Sequence, residues 1–132
     1  MDCCLEKPGY FTSRRQEECL RRLRREFPFV YIHELTRSAG GRPVYALQIG
    51  SGDGKLLVTA GHHANETITA ELLWRFLLTY CEALRAERTL GGVDAMELYH
   101  NGNCYRFICF KCRAQLYCTG SVSVLPVSGA LA

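Results

Sequence analysis

The segment Gly61-His62-His63-Ala64-Asn65-Glu66 sets an imidazole and a carboxylate three positions apart. That combination suits a divalent metal ion. Zinc takes imidazole nitrogen and carboxylate oxygen at about 2.0–2.2 Å, and a catalytic site uses three protein ligands, with the fourth position left for water or substrate. His63 and Glu66, separated by two residues, can converge on one such ion. The spacing alone is weak, because a chain with 4 histidines and 13 acidic residues produces it often by chance. Two plainer roles compete on nearly even terms: a loop or core histidine for His63, and for Glu66 a carboxylate favoured at a helix N-terminus by the macrodipole.

Other reactive side chains give less. Cys104, Cys109, Cys112 and Cys118 crowd into CYRFICFKCRAQLYC, and Cys109 with Cys112 has the C-x-x-C spacing of a thiolate metal site. One such pair without a second, well-spaced pair favours ordinary buried thiols or an out-of-frame tail. Cys3, Cys4 and Cys19 show no spacing that suggests chemistry. His100 is the only histidine after the motif and is a poor candidate ligand. Six arginines lie between Arg14 and Arg25, so phosphate contacts of a small nucleic-acid-binding module are an alternative. The glutamates interspersed among them argue against it.

The elements that must position His63 and Glu66 follow from periodicity. Residues 1–12 read as a leader. Ser13 with Gln16 matches a capping box, and Leu20, Leu23 and Phe27 recur at helical spacing until Pro28, which predicts an amphipathic helix from about Ser13 to Glu26. FVYIHELT and VYALQIG, joined by SAGGRP, predict a β-hairpin. Lys55-Leu-Leu-Val-Thr-Ala60 is continuously apolar after the lysine, as in a central strand covered on both faces. A second helix follows GHHANET, with Ile68, Leu72, Leu73, Phe76, Leu77, Tyr80 and Leu84 on one face, and ends near Arg88. This order predicts an α/β fold: a mixed β-sheet with helices on both faces. Residues 13–103 form the domain, and residues 104–132 an atypical Cys-rich, small-residue tail. The motif lies beyond the carboxyl end of a strand, where ligands of open α/β sheets gather.

Composition sets the limits. Of the 132 residues, 48% are apolar and 22% charged, with a formal net charge of +3. This is the balance of a globular protein and calls for no acidic partner. No export signal is visible at MDCCLEKPGYF and no apolar run spans a bilayer, so the expectation is a cytoplasmic chain without a membrane partner whose eight cysteines are free thiols.

Gly61-His62-His63-Ala64-Asn65-Glu66 also resembles the G-x-H-x-x-E zinc motif of the M14 metallocarboxypeptidase family. Tyr10 and the helix after it, the FPF segment, Thr36-Arg37-Ser38 with Gly41-Arg42, VYALQIG, and AGHHANETIT before a long helix are similar to that family's N-terminal region. The similarity is greatest to its bacterial γ-D-glutamyl-diaminopimelate peptidase-like branch and runs from about Tyr10 to Asn101. It implies a zinc carboxypeptidase-like fold, truncated here, with His63 and Glu66 as metal ligands, Zn2+ as cofactor and a peptide as substrate. His62 falls on the motif's variable position. The family's third ligand (a histidine), its carboxylate-binding arginine and its general-base glutamate match no position here. The resemblance therefore implies no identifiable catalytic residue and a fragment with little or no activity of its own. Where the family continues with another core strand, this sequence has NGNCYRFICFKCRAQLYC, which resembles an aberrant or frameshifted product. A non-catalytic remnant of such an enzyme is the other reading.

Overall fold

The computed structural model describes residues 11–38, 40–63 and 66–109. Helix α1 spans Ser13–Glu26, as the leucine spacing predicts. Its cap sits one residue earlier than expected: the Thr12 hydroxyl accepts from the Arg15 N–H, and the Thr12 carbonyl accepts from Gln16. Ser13 is therefore the first helical residue, and no Ser13–Gln16 capping box forms. Cys19, Leu20 and Leu23 are buried on one side. Arg22 is buried too, and reaches across to α2 (Thr67–Arg85), donating to Glu82 Oε1 at 2.6 Å while also pairing with Glu26. A buried guanidinium with two carboxylate partners keeps its charge compensated.

The hairpin forms as β1 (Tyr31–Arg37) and β2 (Pro43–Ile49), antiparallel, with a register shift between Glu34 and Thr36. Strand β3 covers Gly54–Ala60. After α2 the chain makes a two-residue ladder, β4 (Thr89–Leu90) with β5 (Val93–Asp94), across a Gly91-Gly92 turn in which both glycines have positive φ. Helix α3 (Ala95–Asn101) is capped by Asp94, whose carboxylate accepts from the Met96 and Glu97 N–H groups. Strand β6 (Asn103–Cys109) closes the described chain.

The sheet order is β1-β2-β6-β3, with β6 antiparallel to β2 and parallel to β3. Two expectations change here. Cys104, at which the tail was to begin, is the second residue of β6, and this strand fills the middle of the sheet. Cysteine behaves as a small buried apolar residue, so Cys-Tyr-Arg-Phe-Ile-Cys reads as a strand once β2 and β3 flank it. Conversely β3 is an edge of the described sheet, with Leu56 and Leu57 exposed, because its run of apolar residues finds a neighbour on one side only.

The α/β class and the mixed sheet are as expected. All three helices contribute to one core, in which Cys19, Leu20, Leu23, Trp74, Leu77 and Ala95 meet Leu47, Ile49, Ala60, Phe107 and Cys109. Those sheet residues share one alternation across the register, so the described helices lie over one face of the sheet. Helix α2 ends at Arg85 and is rotated relative to the expected stripe: Ala70, Trp74, Leu78 and Cys81 turn inward, while Ile68, Leu72 and Phe76 are exposed. No described helix is long and apolar enough to cross a membrane. Cys19 is disulfide-bonded, contrary to the expectation of free thiols, which rested on compartment and not on which sulfurs the fold brings together. Cys81 and Cys104 are buried free thiols.

Candidate metal centre

Strand β3 delivers the motif. Ala60 ends it, buried, and Gly61 turns the chain out of the sheet with φ of 70°, a left-handed conformation that glycine adopts at little cost. Thr69, in the first turn of α2, ties the two sides of the loop together. Its hydroxyl accepts from the Gly61 N–H at 3.2 Å and donates to the Glu66 carbonyl at 3.0 Å. The Glu66 N–H in turn donates to the His63 carbonyl at 3.1 Å. Three hydrogen bonds thus hold strand end, loop and helix start in one arrangement.

Within that arrangement His63 Nδ1 lies 2.8 Å from Glu66 Oε1. Both side chains are open to solvent, at 75% and 41% relative exposure, so His63 is not a core histidine. Glu66 occupies the N-cap position of α2, yet its carboxylate bonds none of the helix's N–H groups and turns to the imidazole instead. The hydrogen bond from His63 holds the Glu66 carboxyl below its ordinary value. His62 points elsewhere: its Nε2 sits 2.8 Å from the Thr59 hydroxyl, on the exposed side of β3.

These two donors fit zinc by type, one imidazole nitrogen and one carboxylate oxygen. A tetrahedral ion with bonds of about 2.0–2.2 Å keeps its donors roughly 3.3–3.6 Å apart. The 2.8 Å separation is that of a hydrogen bond, so taking up a metal means exchanging the shared proton and a small opening of the pair. The exposed side chains allow that movement. Among the described residues no group of three or more His, Cys, Asp or Glu comes together, so no third donor joins this pair there.

His100 is excluded from this set by the fold. It ends α3, stacks edge-on against Tyr99 and has Nδ1 3.4 Å from the Ser51 hydroxyl, beside the start of β3. The seven residues of β3 separate it from His63, roughly 20 Å at the rise of an extended chain. Ser51, Asp53, His100 and Asn103 line an open polar recess of about 330 Å³ at that opposite end. The four-cysteine site also fails. Cys104 and Cys109 are five positions apart on β6 and therefore point to opposite faces of the sheet; Cys112 and Cys118 lie outside the described residues. Arg14, Arg22 and Arg25 of α1 are drawn into ion pairs, the first with Glu18 and the other two with Glu26. Thr69 was not among the expected site residues. The signal for it was a hydroxyl three positions after Glu66, one helical turn into α2.

Comparison with known proteins gives the family and the fold. The zinc carboxypeptidase profile, peptidase M14, matches residues 16–99. The chain belongs to that family. It is 28% identical over 102 residues to an uncharacterised Bacillus subtilis (strain 168) protein, YqgT, an alignment that spans 76% of this chain and 27% of that one. It is 30% identical over 81 residues to gamma-D-glutamyl-L-diamino acid endopeptidase 1 of Lysinibacillus sphaericus, spanning 61% of this chain and 20% of the endopeptidase. The chain thus spans about a quarter of the length of the curated relatives it matches. Among solved structures, thrombin activatable fibrinolysis inhibitor superposes with a TM-score of 0.59 at 15% identity, over 81% of this chain and 27% of that one, a likeness of fold.

Proposed function

We propose that this chain carries the His63–Glu66 part of the zinc centre of a metallocarboxypeptidase-type hydrolase. The observation that carries the reading is the convergence of His63 Nδ1 and Glu66 Oε1 at the carboxyl end of β3, held by Thr69 rather than by chance contact. Bound zinc would polarise a scissile carbonyl and acidify a water molecule. The chain's own share is to hold one imidazole and one carboxylate at the mouth of the sheet, with the helix N-terminus behind them. A substrate-binding arginine and a general base match no residue here, so the described part positions metal without completing catalysis. The substrate class we assign is a peptide, with diaminopimelate-containing cell-wall peptides favoured by the similarity to a gamma-D-glutamyl-L-diamino acid endopeptidase.

Zinc titration with a competing chromophoric chelator tests the assignment. The wild-type chain should bind one zinc weakly, since two protein ligands leave half of a tetrahedral shell to water. His63→Ala and Glu66→Gln should each abolish that binding, and His100→Ala should leave it unchanged. Zinc that stays on His63→Ala would overturn the ligand assignment. Stoichiometric zinc that survives dialysis and is lost in His63→Ala would show instead that the set is complete within this chain.

A further inference from the structure

Asn101 is followed by a glycine, and the pair carries a reaction of its own. The peptide nitrogen after an asparagine can attack the side-chain Cγ, closing a five-membered succinimide ring and releasing ammonia. Glycine leaves that nitrogen unhindered, because it has no Cβ. The other two asparagines, Asn65 and Asn103, precede Glu66 and Cys104, whose side chains crowd the same approach.

The fold decides when that attack is open to Asn101. The residue is exposed and ends α3, and Gly102, the C-cap, donates its N–H to the Leu98 carbonyl at 3.1 Å. In a helical backbone this nitrogen is aimed along the axis at the carbonyl four residues back, not at the Asn101 side chain. Gly102 is also hemmed in, by the backbone of Gly52 on one side and the Leu98 carbonyl on the other. Ring closure therefore requires the last turn of α3 to open. Helix α3 has seven residues, of which Ala95 alone is buried, and a helix so short depends on its packing and caps. Its N-cap is Asp94, whose carboxylate accepts from Met96 at 2.8 Å and Glu97 at 3.0 Å.

We propose that Asn101–Gly102 is a self-modification site gated by α3: it is silent while the last turn stands, deamidates when that turn opens, and its product prevents reclosure. The bond from the Gly102 nitrogen to Asn101 Cγ forms as the Cγ–Nδ2 bond breaks, and the proton of the Gly102 N–H leaves with the ammonia. Water then opens the ring. Cleavage next to the main-chain carbonyl leaves isoaspartate at position 101, and cleavage next to the side-chain carbonyl leaves aspartate. Water is the only co-reactant. Isoaspartate lengthens the main chain by one carbon just before Gly102, where the contact with Gly52 leaves no room for it. Either product adds a carboxylate to the recess that already holds Asp53. The next contact along the chain is the Gly54–Asn103 pairing that begins the β3–β6 ladder, so a passing opening of α3 becomes a lasting one at this end of the sheet.

The full 132-residue chain, kept at one mildly alkaline pH in native buffer and in urea, is followed by ammonia release and by peptide mapping for isoaspartate at position 101. The native chain should react at least about tenfold more slowly than the unfolded one. Asp94→Ala, which removes the exposed cap, should raise the native rate about fivefold, whereas Asp94→Asn still caps and should leave it unchanged. Asn101→Gln should stop the reaction at this site in both states, and the purified modified chain should unfold at lower urea than the unmodified one. Equal rates in native buffer and urea would overturn the proposal. So would a native rate indifferent to Asp94→Ala, faster deamidation at Asn65 or Asn103 in the unfolded chain, or a modified chain with an unchanged urea midpoint. Should Asp94→Ala fail to fold, hydrogen exchange of the wild type decides: the Gly102 amide must exchange faster than the amides of β6, and equal protection of the two would overturn the gate.

Discussion

The two ends of β3 each bring a histidine close to a polar side chain, and they differ in everything else. At the carboxyl end a hydroxyl, two carbonyls and two backbone N–H groups hold the loop so that His63 meets Glu66, with both side chains facing solvent. At the amino end the backbone is crowded. Ser51 donates through its N–H to the Tyr99 carbonyl, and Gly52 packs onto the backbone of Gly102. His100 there stacks edge-on against Tyr99 and has Nδ1 3.4 Å from the Ser51 hydroxyl. A histidine near a polar group is common; a histidine and a carboxylate converging at a helix start beyond a parallel strand are placed where ligands of open α/β sheets gather. One end leaves its side chains open to solvent and the other is closed by backbone contacts.

Substitutions can break that contrast, and the largest effect belongs to the closed end. A Cβ added at Gly52 would run into the carbonyl oxygen of Gly102, a clash with backbone that cannot swing aside. Gly52→Ala should therefore cost on the order of 3 kcal/mol in urea unfolding. The protein that remains folded should bind zinc as the wild type does. A loss of zinc affinity with unchanged stability would mean that the two ends are coupled.

Thr69→Val should give the opposite pattern. It removes the hydroxyl that joins Gly61 to Glu66, for a stability loss of about 1 kcal/mol. Groups that orient metal ligands typically contribute about tenfold or more to affinity, so zinc binding should fall by at least that factor. Unchanged zinc affinity in a folded Thr69→Val protein would show that the loop positions His63 and Glu66 without it.

The smallest effect belongs to α2, which carries core residues common to both ends. Burial pushes the Cys81 thiol from 9.0 up to about 12. The folded pKa is the raised one, so the stabilising contribution is present below pH 9 and is lost as pH rises from there towards about 12, where only the unfolded chain ionises. Between pH 8 and pH 10 the wild type should lose about 1 kcal/mol more than Cys81→Ala. Urea midpoints at the two pH values give the difference, and parallel slopes for the two proteins would show that the thiol is not desolvated.

Much of this architecture was legible along the chain. Leu20, Leu23 and Phe27 marked α1 to its observed boundaries, SAGGRP marked the hairpin, and GHHANET marked the passage from strand to helix. The errors fell where neighbours decide. Helix α2 has apolar residues on more than one side, so periodicity could not say whether Trp74 or Leu72 would face the core. The apolar run of β3 suits a strand covered on both faces, yet it stands at an edge of the described sheet. The cysteine-dense span after Asn103 departs from the family's pattern in sequence, yet its alternation suits a strand once β2 and β3 flank it.

What the sequence by itself determined is local: the helix of residues 13–26, the hairpin, and an imidazole and a carboxylate three positions apart, close enough that a single turn of chain brings them together. What only the tertiary structure decided is every pairing across distance. Strand β6 enters between β2 and β3, His100 is carried to the far end from His63, and the Cys104 and Cys109 thiols face apart. Such strand pairings join residues about fifty to sixty positions apart. Their stability comes from the apolar surface they bury together, and no single segment shows that surface alone.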